Sequence, residues 1–285
     1  MSTPDGKASF DHIYDQPDPR EYFRTLHRVE YRIPVDAQGV FRRLLAVLGR
    51  RRAPDAPPVT VLDVCCSYGV NAALLGYDLT LDDLYAHYAG ADVAAAPRAE
   101  LLAADRTWYT ERRRPHPRVR LLGLDTAGSA VAYGREAGLL DDGWAENLEL
   151  SEPSDRLATH AGAVDLVTIT GGVGYVTGRT FARLLDVLAP ARLPWVAAFA
   201  LRSYSYDDIA AALDRYGLVT EQAGTTFRQR RFADDDEQQA ALAAVRGRGL
   251  DPAGRESDGW LHCDLFLSRP GDEVDPPLAG VLAAG

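Results

Sequence analysis

Apolar residues in this chain gather in short unbroken runs, separated by stretches where they recur at helical spacing. Val59 to Val64 reads as a buried strand. Cys65 to Gly69 behind it is a turn of small residues, opening a helix over Val70 to Tyr77. Further strands are predicted over Arg118 to Leu124, Asn147 to Leu150, Val164 to Thr170, Trp195 to Leu201 and, last, Trp260 to Leu267. Helices are predicted over Val40 to Leu48, Gly128 to Leu139, Arg179 to Leu188, Asp207 to Tyr216 and around Asp236 to Val245. Thr80 and Asp83 form a capping pair ahead of Leu84 to Tyr88. Apolar strands alternating with helices indicate a parallel sheet covered on both faces. The fold class is therefore α/β, a doubly wound, mainly parallel, seven-stranded Rossmann-like sheet.

The same pattern divides the chain. Residues 1–57, aromatic and charged, are expected to form an N-terminal helical cap or lid. Residues 58–270 form the sheet domain, with an insertion over 78–117 after the first helix and a variable segment over 202–255. Residues 271–285, rich in Pro, Gly and Ala, are expected to be a loose tail.

Composition narrows the partners. With 285 residues, 46% of them hydrophobic, the chain can bury one sizeable core. A net charge of −10 argues against a nucleic-acid partner, whose phosphates demand Lys and Arg. The polar start lacks an apolar leader core, and no apolar run reaches the roughly eighteen residues of a membrane span. The cysteines, Cys65, Cys66 and Cys263, form no zinc-type pair, so a reduced, cytoplasmic setting fits. His12, His27, His87, His116, His160 and His262 are scattered, and no metal constellation emerges. A homodimer is left open.

In an open parallel sheet, ligands bind beyond the carboxyl ends of the strands. After the first strand stands Asp63-Val-Cys-Cys-Ser-Tyr-Gly69. The segment Val61 to Asn71 resembles the first motif of class I S-adenosylmethionine-dependent methyltransferases, an acid followed by three alternate glycines. Asp63 matches the acid and Gly69 the third glycine, while Cys65 and Ser67 stand at the other two. The resemblance implies S-adenosyl-L-methionine as cofactor, with Asn71 beside this turn. It makes Asp125, followed by Thr126, the counterpart of the acid that binds the ribose hydroxyls. Asp125 lies much further past the glycine turn than the roughly twenty residues of dinucleotide folds, which is why an insertion is inferred. Glu152, with Asp155 in reserve, is placed near the adenine. Thr170 and Gly171 end the fourth strand, where such enzymes bring cofactor and acceptor together. The Tyr175 ring there would attract a sulfonium cation by about 0.5–2 kcal/mol. The resemblance covers roughly residues 59–201.

For the substrate, Tyr14, Tyr22 and Tyr31 would close the pocket and exclude water. Tyr175, Tyr14 and His12 are the catalytic candidates. Arg202, Tyr204 and Tyr206, after the fifth strand, are candidates for lining the acceptor pocket, Arg202 by gripping a carboxylate. No Asn-Pro-Pro-Tyr motif follows the fourth strand, which argues against DNA or protein amide methylation. The expectation is a methyltransferase acting on a small molecule, in specialised metabolism. A second reading has the same fold cyclising S-adenosylmethionine to azetidine-2-carboxylate and methylthioadenosine. A third has it binding the cofactor without consuming it, as a binding protein or a pericyclic catalyst.

Overall fold

The sheet is built from β1 (Val59–Val64), β2 (Val119–Asp125), β3 (Asp142–Ala145), β4 (Leu166–Thr170), β5 (Trp195–Leu201), β6 (Leu218–Arg231) and β7 (Trp260–Pro270). The computed structural model that shows it describes residues 11–53, 55–115, 119–188 and 192–283, so His116 lies outside the described residues. The strands run in the order β3-β2-β1-β4-β5-β7-β6. The first five are parallel, and β7 enters antiparallel between β5 and β6. This is the doubly wound, mainly parallel architecture that the sequence pattern predicts.

Strands β1 and β5 begin and end where their apolar runs do. All of β5 is buried, because helices cover both faces and leave no polar side to interrupt the run. The third strand departs from expectation. It spans Asp142–Ala145, whereas Asn147 to Leu150 lies in the loop beyond, with Leu150 exposed. Its Asp-Gly-Trp-Ala sequence carries one large apolar residue, Trp144, so periodicity could not reveal it. The long β6 was not predicted either. This edge strand is only partly buried, and its sequence is mostly polar.

The helices fall into four groups. On one face, α3 (Ile33–Arg50) and α4 (Val70–Gly76), preceded in the chain by α1 (Asp11–Tyr14) and α2 (Arg20–Arg28), sit near β1. Phe41, Leu44 and Leu48 of α3 join Trp195, Phe199 and Leu267 in that core. The residues after α4 fold into α5 (Leu81–Ala89), α6 (Ala91–Ala95) and α7 (Arg98–Thr110), followed beyond β2 by α8 (Gly128–Glu136). The opposite face is covered by α9 (Asp155–His160), α10 (Gly178–Leu188) and α11 (Asp207–Asp214), through Leu157, Phe181, Leu184 and Ile209. Last come α12 (Asp235–Gly247) and α13 (Leu278–Ala283). Leu278 and Val281 of α13 are buried against α3 and β6, so this part of the tail is packed rather than loose.

A third core joins the cap to the segment between α4 and β2. Phe23 of α2 stacks on Tyr88 of α5 with ring centres 4.4 Å apart. The predicted capping box closes α5: the Thr80 N–H donates to Asp83 Oδ2 at 2.8 Å and the Asp83 N–H to Thr80 Oγ1 at 3.1 Å. Such a cap contributes about 1 kcal/mol. Beneath it Asp105, fully buried, accepts from the Tyr88 hydroxyl at 2.7 Å and the Tyr133 hydroxyl at 2.6 Å, and contacts His87 Nε2 at 2.7 Å. These helices hold α2, and so the cap's tyrosines, over the carboxyl end of the sheet.

Candidate functional site

At the carboxyl ends of β1, β2 and β4 lies a cavity of about 450 Å³, within the roughly 300–1,000 Å³ of small-molecule sites. Its floor is the turn after β1. Cys65 (φ 57°), Ser67 (φ 49°) and Gly69 (φ 85°) all take the left-handed conformation. A non-glycine residue there costs roughly 1–2 kcal/mol, because its Cβ crowds the following carbonyl. The backbone therefore follows an alternate-glycine path although two of the three glycines are missing. Cys65 and Ser67 line the cavity; Gly69 caps α4 behind the lining. The Ser67 Oγ is buried and has no hydrogen-bond partner among the described residues.

Two carboxylates face this floor. Asp63 is buried at the end of β1, accepting from Thr168 Oγ1 at 2.7 Å and from Asn71 Nδ2 at 3.1 Å. Burial pushes its pKa up to about 7, against those two hydrogen bonds, and the nearby Asp125 adds to the rise. Asn71 also donates to Thr170 Oγ1 at 2.9 Å, tying β1 to the end of β4. Asp125, the last residue of β2, accepts from the Ser67 N–H at 2.8 Å and the Ala127 N–H at 2.9 Å. Burial raises its pKa, and the bonds from Ala127 and Ser67 oppose that. The Thr126 N–H adds a third backbone bond, and the carboxylate keeps acceptor capacity toward the cavity it lines. Thr126, Thr170, Gly171 and Asn71 line the same cavity.

The cap supplies the roof. Tyr14, Tyr22 and Tyr31 line the cavity, the Tyr14 and Tyr22 rings meeting edge-on at 5.8 Å. Burial pushes all three hydroxyls above their usual pKa, so they stay neutral donors. The Tyr68 hydroxyl accepts the Gln16 N–H at 2.9 Å and pins the segment carrying Tyr14. Tyr175 stands at the mouth, 46% exposed, and completes the aromatic lining.

Other sequence candidates lie elsewhere. His12 is exposed and does not line the cavity. Glu152 is exposed and pairs with Arg183 at 2.8 Å. Because β3 ends at Ala145, the cavity is lined instead by Glu146, Asn147 and Glu149. Arg202 is buried in an ion pair with Glu256 at 2.5 Å, away from the cavity. Tyr206 is buried in the core, stacked on Phe266 at 4.2 Å. Tyr204 packs its ring over Gly174, just outside the lining.

Sequence reasoning missed Gln229 and Arg230, both buried and both lining the cavity from β6. Successive strand residues normally face opposite sides. Here the β6–β7 register shifts between Arg228 and Arg230, leaving Gln229 as the extra residue of a β-bulge, a device that re-aims side chains. Among the described residues no group of three or more His, Cys, Asp or Glu could hold a metal ion, and no helix is long and apolar enough to cross a membrane.

The strand order with its antiparallel seventh strand is that of the Rossmann-like fold of class I methyltransferases. No protein-family model and no curated protein matches the chain. Among solved structures, it is similar to the TehB-like SAM-dependent methyltransferase from Corynebacterium glutamicum, at 13% identity over 86% of this chain and 94% of that one, with a TM-score of 0.40. It is also similar to the plantazolicin methyltransferase BpumL solved with SAH, at 12% identity over 91% and 93% of the two chains, TM-score 0.42. A third is the magnesium protoporphyrin IX methyltransferase from Synechocystis solved with SAM, at 12% identity, 94% and 99% coverage, TM-score 0.41. The fold assignment rests on the strand order itself.

Proposed function

We propose that the chain is an S-adenosylmethionine-dependent methyltransferase acting on a small molecule. The observation that carries this reading is the left-handed turn of Cys65, Ser67 and Gly69 facing Asp125 across one cavity. The residues present fit the cofactor. Asp125 would take the ribose hydroxyls, Asp63 and Asn71 the amino-acid end, and Glu146 to Leu148 the adenine side. When bound, S-adenosylmethionine supplies an electrophilic methyl on a sulfonium, whose sulfur keeps the bond's electron pair as neutral S-adenosylhomocysteine. The acidic lining favours that cation, and Tyr14, Tyr22 and Tyr31 exclude water from it. The protein's contribution is position and orientation, which can supply most of what a methyl transfer needs.

One feature favours a second reading. Cys65 and Ser67 each place a Cβ, in a conformation that favours glycine, where a cofactor's amino-acid chain would lie. A chain bent by those groups suits attack of its own amine on its γ-carbon, breaking the γ-carbon–sulfur bond and releasing azetidine-2-carboxylate, methylthioadenosine and a proton. Asp63, with a pKa near 7, suits that proton.

The test is incubation with S-adenosylmethionine alone, followed by liquid chromatography and mass spectrometry. Unconsumed cofactor that binds with a defined stoichiometry is the expected result for a methyltransferase without its acceptor. Methylthioadenosine above the enzyme-free control replaces this reading with the second one. Failure to bind S-adenosylmethionine or S-adenosylhomocysteine overturns both.

A further inference from the structure

The cavity has two chemically different ends. Around β1 and β2 it is acidic, through Asp63 and Asp125. Under the cap it is aromatic and apolar, through Tyr22, Tyr31, Leu26 and Pro34. The Gln229 amide comes into the cavity beside this second end. The Arg32 N–H donates to the Gln229 carbonyl at 2.7 Å, and the Arg231 N–H to the Val29 carbonyl at 2.7 Å. The bulged end of β6 is thus laced to the link between α2 and α3, and Gln229 is set beside the Tyr31 segment.

The Gln229 side chain is almost wholly buried, and among the described residues its Oε1 accepts no hydrogen bond. Its Nε2 lies so close to Gly171 that a Cβ there would come within 2.5 Å of it. The amide is therefore set against the end of β4, where the first reading brings cofactor and acceptor together. A buried amide acceptor left without a donor carries an unrecovered desolvation penalty, so a ligand that supplies the donor removes that penalty. Arg230 beside it is bound in both arms by Glu237 at 2.6 and 2.8 Å, which offsets much of its charge. Asp63 and Asp125 in the same cavity disfavour an anionic ligand, the paired Arg230 offsetting them only in part.

We propose that Gln229 determines acceptor specificity: it selects a neutral aromatic molecule bearing an O–H or N–H donor, which its Oε1 accepts while the cap tyrosines cover the ring. This rests on the methyltransferase reading, in which a second molecule enters beside the cofactor. Sites built to hydrogen-bond a donor reject the analogue lacking it far more strongly than sites that sense shape alone.

The probes are phenol and anisole, its O-methyl ether, titrated into the full chain by saturation-transfer NMR, alone and with S-adenosylhomocysteine. Calorimetry on the same preparation follows S-adenosylhomocysteine binding. Phenol is expected to bind the wild type at least about tenfold tighter than anisole. In Gln229→Leu that ratio falls toward one, with S-adenosylhomocysteine affinity unchanged. Should that variant not fold, Gln229→Asn retracts the same amide by one methylene, and the ratio falls there too. A wild-type ratio near one, a ratio that survives in both variants, or no binding of either probe overturns the proposal. Loss of S-adenosylhomocysteine binding in the wild type overturns the methyltransferase reading instead, whatever the phenol ratio.

Discussion

Asp105 and Asp63 are both buried carboxylates, yet their surroundings differ in kind. Asp105, among the helices between α4 and β2, has both oxygens engaged by Tyr88, Tyr133 and His87, and it does not line the cavity at the strand ends. Asp63, at the end of β1, is held by Thr168 and Asn71 but lines the cavity, and burial lifts its pKa to about 7. The same contrast extends to their neighbours. The Tyr88 and Tyr109 hydroxyls meet at 3.0 Å, whereas Ser67 Oγ and Gln229 Oε1 in the cavity have no partner among the described residues. Where polar groups satisfy one another, they build architecture; where they are left open inside a cavity, they point to a ligand.

The largest test of this contrast is Asp105→Ala. It leaves the Tyr133 hydroxyl without its acceptor, at about 1–3 kcal/mol, and the Tyr88 hydroxyl with Tyr109 alone, and should lower stability by about 3 kcal/mol in thermal or urea unfolding. Affinity for S-adenosylhomocysteine in the fraction that remains folded should change little. A loss of stability below about 1 kcal/mol would show the network to be unimportant and dissolve the comparison. Asp125→Ala should do the reverse. Losing two hydrogen bonds to a charged acceptor, about 1.5 kcal/mol each, weakens S-adenosylhomocysteine about a hundredfold in calorimetry, with a smaller stability change than at Asp105. Unchanged affinity would remove Asp125 from the ribose role.

Asp63 gives a third test, through pH. Its folded pKa of about 7 lies above the unfolded value of about 3.9, so between them the folded state keeps a proton that the unfolded state has lost. Stability of the ligand-free protein therefore falls as pH rises from about 4 to about 7. A bound cation prefers the ionised carboxylate, so affinity for S-adenosylmethionine should rise about tenfold from pH 5.5 to pH 7. Asp63→Asn should flatten that profile. A wild-type profile already flat in this window would mean that Asp63 does not face the ligand's charge.

Which features could be read beforehand follows from how each element is buried. Strand β5 could be placed to the residue because both its faces are covered and every position is apolar. The Thr80–Asp83 box was legible because capping chemistry is local. Glu152 was chosen because β3, with Trp144 its one large apolar residue, left no periodic trace, which displaced the search for the acid past Glu146 and Glu149. Arg202 and Tyr206 follow β5 as expected, but α12 and the loop bearing Glu256 fold over that strand end and claim Arg202 in a buried pair. Gln229 and Arg230 were invisible for a different reason. A polar edge strand has no apolar signature, and a bulge breaks the alternation that would say which way each side chain points.

The smallest expected effect concerns the two residues that depart from glycine. Replacing Cys65 by Gly relieves about 1–2 kcal/mol of left-handed strain. It returns about 0.5–1 kcal/mol as freedom of the unfolded chain, and it removes the contact between the Cys65 side chain and Gly172. These terms nearly cancel, so Cys65→Gly should move stability by less than about 1 kcal/mol, and Ser67→Gly by a similar amount. The informative readout is therefore the product mixture from S-adenosylmethionine alone. If the two Cβ atoms bend the amino-acid chain toward its own amine, the double variant loses any methylthioadenosine while keeping its affinity for S-adenosylhomocysteine. If neither variant alters the products and both stabilise the fold by about 2 kcal/mol, the strain at this turn serves no ligand, and the cyclising reading loses the observation that favours it.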